Sequence, residues 1–183
     1  MTKQTTRQIA EYSRLLSQIL YEVIEVNFFD ELESDQLTKS QFTILKILSV
    51  SKTSTVSEIA DILRISRAAA SKNVEKLVQG HLVKRRVIND DRRVAEISLS
   101  EKGETLVQAY ESLFFKKQHK ALEIFSQDER CQLLNLLGKY VTNILHQEKD
   151  IDVVCMQCKE SINNGCNLGK NKSQCKFYFK LNN

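Results

Sequence analysis

The chain has 183 residues, of which 42% are hydrophobic and 27% charged, with a formal net charge of +4. That length and apolar content suit one buried core with an appendage and exclude a disordered chain. No run approaches the roughly 18 consecutive apolar residues of a membrane span, and the start, MTKQTTRQIAEYSR, lacks the apolar core of a secretory signal. A soluble, cytoplasmic protein without a membrane partner is therefore expected, and in that compartment clustered cysteines point to metal ligands or redox thiols before disulfides.

Over residues 5 to about 33, Ile9, Tyr12, Leu16, Ile19, Leu20, Val23 and Val26 recur at spacings of three and four, one stripe on a long helix that needs a partner. Thr38 is placed to cap a second helix, with Phe42, Leu45 and Leu48 inward. The stretch from Val56 to Leu63 reads as a short helix capped by Ser54 or Thr55, with Ile59, Ala60 and Leu63 on its apolar face. Ser66 caps the next helix, which runs to Gly80, where a left-handed C-terminal residue is expected. The period then changes. Leu82, Val83, Val87 and Ile88 on one side and Val94, Ile97 and Leu99 on the other flank NDDRR, which suits a β-hairpin with a polar tip. A long helix from about Ser100 carries Leu106, Val107, Tyr110, Leu113 and Phe114. Capping-box spacing at Ser126 and Glu129 opens a last helix through Leu133, Leu137, Val141 and Ile144. Beyond it periodicity fades and asparagine, glycine and cysteine appear, so the chain divides into residues 1–148 and a tail, 149–183.

The predicted order is four helices, a hairpin and two helices. Two short helices joined by a tight turn and followed by a hairpin describe a mainly α, winged helix-turn-helix fold. Charge follows the same division. Residues 1–40 hold four basic and seven acidic side chains, a net of −3, whereas residues 64–93 hold nine basic and three acidic, a net of +6. Such a local excess is either the footprint of a polyanion-binding surface or a solvated face.

In SRAAASKNVEKLVQGHL the inward residues are predicted to be Ala70, Val74, Leu77 and Val78, leaving Arg67, Ala68, Ser71, Lys72 and Glu75 outward. Small side chains allow close approach to a major-groove floor, where Ser71 can bond a base edge or phosphate and Arg67 and Lys72 supply charge. The alanines could equally serve helix propensity. At the hairpin tip, Asn89 to Arg93, an arginine can enter a narrow minor groove while an aspartate two positions earlier fixes its guanidinium, or DDRR is only a soluble turn. The candidate nucleic-acid contacts are Ser66, Arg67, Ala68, Ser71, Lys72, Lys76, Arg85, Arg86, Asp91, Arg92 and Arg93.

The stretches LTKSQFTILKIL (37–48), TVSEIADILRISRAAASKNVEKLVQGHLVKR (55–85) and DDRRVAEISLSEKGETL (90–106) resemble the MarR family of winged-helix transcriptional regulators, over roughly residues 8–147. The resemblance implies a homodimer whose N-terminal and last two helices form the interface, with two recognition helices in successive major grooves of double-stranded, pseudo-palindromic DNA and two wings in the flanking minor grooves. By that likeness Asp91 and Arg93 match the wing's D-x-R motif, Arg93 entering the minor groove and Asp91 orienting it. Ser71 and Lys72 fall where the family often has a Thr-Arg pair, while Ala69 and Asn73 depart from common choices, so no operator sequence carries over. A repressor is the expected role, and a small-molecule effector is left unidentified. The dimer agrees with the apolar stripes of the first and last helices, which exceed what a wing domain of about 60 residues could cover. Half-sites would lie about 34 Å apart.

The tail is not covered by that likeness. Its cysteines run Cys155-x2-Cys158-x7-Cys166-x8-Cys175. The close pair can present two thiolates to one ion, with two further ligands folded back beside Gly165 and Gly169. An iron-sulfur cluster, a structural zinc site and free thiols compete. Lys159, Lys170, Lys172, Lys176 and Lys180 would offset thiolate charge, and the second half lacks the C-x2-C knuckle usual for zinc. Cys131 reads as a small core or interface residue. An enzyme is not expected, because no P-loop, G-x-G-x-x-G, H-E-x-x-H or nucleophile elbow is present. The rival classes are an electron carrier on the same scaffold without DNA affinity and a protein-interaction module built on the long helices.

Overall fold

A computed structural model describes residues 2–20, 22, 26, 28, 37–87 and 95–147. Its elements are α1 (Lys3–Ile19), α2 (Lys39–Ser51), β1 (Thr53–Thr55), α3 (Val56–Leu63), α4 (Arg67–Gln79), β2 (Val83–Val87), β3 (Ala95–Leu99), α5 (Glu101–Leu122) and α6 (Gln127–Gln147). The predicted mainly helical winged fold is present, with one addition. Strand β1 pairs antiparallel with β3, Ser54 opposite Ile97, and gives a three-stranded sheet in the order β1-β3-β2. The predicted first helix is seen as α1, and most of its expected extension to residue 33 lies outside the described residues.

Two compact units form, from the described parts of Met1–Leu37 with Gln108–Glu123 and of Thr38–Val107 with Ile124–Asn183. The second contains the winged helix. Helix α2 is apolar on nearly every side, and Phe42, Ile44, Leu45, Ile47, Leu48 and Val50 are all buried. Ile59 and Ala60 of α3, Ala70, Val74 and Leu77 of α4, and Val83, Ala95 and Ile97 of the sheet complete this core. Burial of each large apolar side chain contributes roughly 1.5–3 kcal/mol.

Local chemistry starts each helix where the sequence predicts. Thr38 and Gln41 form a reciprocal capping box, the Thr38 N–H donating to Gln41 Oε1 at 2.8 Å. Of the two candidate caps before α3, it is Thr55, paired in the same way with Glu58. Arg64 then takes a left-handed conformation (φ 53°, ψ 41°), the Ile65 N–H donates to the Ala60 carbonyl at 3.1 Å, and Ser66 Oγ accepts from the Ala69 N–H at 3.1 Å to begin α4. This closed turn fixes the angle between the two helices of the motif.

The end of α4 corrects one expectation. Gly80 closes the helix, but at φ −75°, and the left-handed residue is His81 at φ 58°. The reason is the hydrogen-bonding pattern: the His81 N–H donates to Val78 and the Leu82 N–H to Leu77, both at 2.9 Å, which places the reversal one residue past the cap. A Cβ on Gly80 would meet only ordinary contacts, the nearest being the Lys76 carbonyl oxygen at 3.4 Å. Gly80→Ala is therefore expected to leave thermal stability unchanged or raise it by up to about 1 kcal/mol, read by thermal denaturation.

In the first unit, the buried Phe28 meets Tyr110 edge to face, with ring centroids 5.2 Å apart, and Tyr110 continues to Phe114. Helix α1 has no buried residue, so the stripe of Ile9, Tyr12, Leu16 and Ile19 is exposed in the protomer. Helix α6, in the other unit, opens on the predicted box: the Ser126 N–H and hydroxyl both donate to Glu129 Oε2, which holds that carboxyl below its ordinary pKa. Its apolar residues are also exposed, Leu134 at 73% with Leu137, Val141 and Ile144 beside it. Cys131 is exposed too, its sulfur accepting from Gln127 Nε2 at 3.9 Å, so it is no core residue of the protomer. No described helix is long and apolar enough to cross a membrane.

Candidate nucleic-acid interface

The predicted faces of α4 are observed. Ala70, Val74 and Leu77 are buried and Val78 half-buried, while Ser66, Arg67, Ala68, Ala69, Ser71, Lys72, Glu75 and Lys76 are exposed. The first turn carries no acidic side chain, so the positive end of the helix is left open to an anion. The exposed side of the helix presents methyl groups and a hydroxyl at Ala68, Ala69 and Ser71 and cations at Arg67, Lys72 and Lys76. A negatively charged duplex could approach the first closely while its phosphates meet the second.

Strand β2 extends the charge. Lys84, Arg85 and Arg86 are exposed, and with Arg64, Arg67, Lys72 and Lys76 they make seven exposed basic side chains over residues 64–87, against Glu75 alone. The strand also separates residues that the sequence grouped together. Side chains alternate along a strand, so Arg85 shares the face of the buried Val83, opposite Ile97, whereas Lys84 and Arg86 lie on the other face, opposite Ser98 and Glu96. Arg85 and Arg86 cannot serve one flat surface together.

The register of the wing stem runs from Val83 opposite Leu99 to Val87 opposite Ala95. Its tip, with Asp91, Arg92 and Arg93, lies outside the described residues, as does the whole of 149–183 with Cys155, Cys158, Cys166 and Cys175.

Sequence reasoning missed the residues that hold the wing to α4. Ser100 Oγ donates to the His81 carbonyl at 2.6 Å and accepts from the Gly103 N–H at 3.0 Å, while the Ser100 N–H donates to the Leu82 carbonyl at 3.0 Å. Lys102 Nζ reaches the Gly80 carbonyl at 3.2 Å. The start of α5 is thereby tied to the turn that ends α4. Ser100 before Glu101 was the only local signal, as a helix cap.

A three-helix core with a helix-turn-helix and a paired wing stem defines a winged helix-turn-helix protein. Comparison with known proteins agrees with that class. The MarR family model matches residues 35–94. The chain is similar to YpoP, an HTH-type transcriptional regulator of Bacillus subtilis (strain 168), with 26% identity over 137 residues, 75% of this chain and 96% of the relative. Among solved structures, a MarR family protein from Bacillus stearothermophilus superposes with a TM-score of 0.65 at 22% identity, covering 79% of this chain and 99% of that one. A mutant of S. aureus MepR bound to an oligodeoxyribonucleotide gives a TM-score of 0.54 at 26% identity, covering 73% and 97%. Residues 35–94 thus match the MarR family, and the chain is similar over most of its length to HTH-type transcriptional regulators with the winged-helix fold.

Proposed function

We propose that the protein is a homodimeric, sequence-specific DNA-binding transcriptional repressor rather than an enzyme, and that each protomer lodges α4 in a major groove of a pseudo-palindromic duplex. The observation that carries this reading is the outward face of α4, where Arg67, Lys72 and Lys76 stand exposed beside small side chains, within a segment, residues 64–87, that exposes seven basic side chains against one acidic. The oligodeoxyribonucleotide bound by the MepR mutant supports the choice of partner.

Two features support a second copy as the partner of the apolar helices. The stripes on α1 and α6 are each exposed in the protomer. Gly138 stands inside α6, between Leu134 and Val141, with nothing within 4 Å of an added Cβ. A glycine in a helix interior costs about 1 kcal/mol relative to alanine, a cost that close approach of another backbone would offset. Gly138→Arg should leave helical content and melting intact at concentrations where only monomer is present. In sedimentation it should shift the protein from dimer to monomer.

In the same reading Cys155, Cys158, Cys166 and Cys175 hold a metal centre, an iron-sulfur cluster first and zinc as the alternative, whose redox or occupancy state tunes DNA affinity. The support is the spacing of four thiols on a segment too small and polar to form its own core. Tuning requires that the two DNA-binding states differ in affinity for the metal.

The test is a titration of the promoter region of its own operon, with protein prepared anaerobically and assayed for iron, sulfide and zinc. Specific, salt-sensitive binding that weakens on Arg93→Ala supports the regulator. No binding, metal-loaded or metal-free, would leave an electron carrier as the better reading.

A further inference from the structure

On the proposed DNA-binding surface one residue has the wrong charge. Glu75 is the single acidic side chain among the exposed charges of residues 64–87. It lies on the outermost line of α4: Ala68, Lys72, Glu75 and Gln79 follow at spacings of four, three and four, all exposed and opposite the buried Ala70, Val74 and Leu77.

No role within the fold explains it. Among the described residues Glu75 makes no hydrogen bond or ion pair, although Lys72 stands one turn before it and Lys76 beside it. It is past the first turn, where a carboxylate would gain from the helix dipole, and it caps nothing. Against a duplex, an unpaired carboxylate facing phosphates is repelled, so its place on this face calls for a ligand that donates hydrogen bonds. In the major groove that ligand is the amino group of a base, and a glutamate's matching partner is the N4 amino group of cytosine. The reach is adequate: Glu75 stands eight residues beyond Arg67, a rise of about 12 Å, comparable to the roughly 12 Å width of the groove. A helix lying along the groove would hold both Ala68 and Glu75 over base edges.

We propose that Glu75 is a specificity-determining residue of the recognition helix, its carboxylate accepting a hydrogen bond from a cytosine N4 amino group in each half-site. This rests on the DNA-binding reading above and adds to it the base that is read.

The experiment selects duplexes from a randomised pool with the full chain and with Glu75→Ala, then measures affinity and salt dependence on the selected sequence and on single-base variants. The wild type should select a cytosine at one symmetric position and lose roughly 5- to 150-fold in affinity when that pair is replaced. Glu75→Ala should lose that preference while keeping the others. Uniformly tighter binding of every duplex by the variant, with a steeper salt dependence, would place the carboxylate at the phosphate rim and overturn the proposal. An unchanged sequence profile would overturn it as well. A wild type that selects nothing from the pool would remove the DNA-binding reading itself, which separates the two failures.

Discussion

Replacing Gly103 with alanine is expected to lower the melting temperature by about 10 °C, corresponding to roughly 3 kcal/mol or more in a chain of this size. An added Cβ would run into the Leu82 carbonyl oxygen, with the Leu82 carbonyl carbon at 3.1 Å and Leu99 Cδ2 at 3.3 Å. The obstacle is backbone, so no side-chain rotation relieves it. Either α5 or the turn after α4 must move, and the hydrogen bonds of Ser100 to His81, Leu82 and Gly103 sit in that gap. Each of these is worth about 1 kcal/mol, more where a buried group is left unpaired. The loss should extend to DNA affinity, because Leu82 leads directly into β2 and the turn fixes the end of α4. Thermal denaturation of Gly103→Ala beside Gly80→Ala makes the comparison direct. Equal melting of the two variants would show that the contact of α5 with Leu82 does not constrain the fold.

These two glycines also show which parts of the fold could be read from the sequence. Helix starts were legible because a cap is chemistry within four residues: Thr38 with Gln41, Thr55 with Glu58 and Ser66 with Ala69 need nothing distant. Helix ends were less so. Glycine marked the end of α4 correctly, yet the left-handed position fell on His81, since which residue reverses depends on hydrogen bonds back to Leu77 and Val78. Strand β1 was missed because Thr53–Thr55 has no apolar alternation and exists as a strand only through pairing with β3, more than forty residues away. Gly103 was invisible for the same reason, its constraint being a carbonyl twenty-one residues earlier in the chain. The outward positions read from the sequence, Arg67, Ala68, Ser71, Lys72 and Glu75, are all exposed because helical period and burial agree there, while Ala69 and Gln79 join them and Val78 is only half-buried. That Arg85 and Arg86 fall on opposite faces was not legible from a charge count, which ignores the alternation of a strand.

The largest effect on function should come from neutralising Arg67, Lys72 and Lys76 together. All three are exposed and none supports the core, so the triple alanine variant should melt as the parent does. Its DNA affinity should fall by about two to three orders of magnitude at physiological salt, and the loss should be of one kind. Cations that neutralise phosphates release counterions, so the slope of log affinity against log salt changes by about 0.9 for each phosphate left without its cation. Removing three cations from one protomer on the duplex would flatten the slope by about 3, and removing six from a symmetric pair would flatten it by about 5. The measurement therefore reads both the surface and the stoichiometry, by anisotropy titration of one labelled duplex from about 50 to 200 mM salt. Retained discrimination between the selected duplex and a scrambled one, at reduced affinity for both, would assign these cations to the backbone and leave the sequence to Ser71, Glu75 and the small residues between them. An unchanged slope would mean that the basic face of α4 does not meet the phosphates, and the duplex would then have to be held elsewhere on the protein.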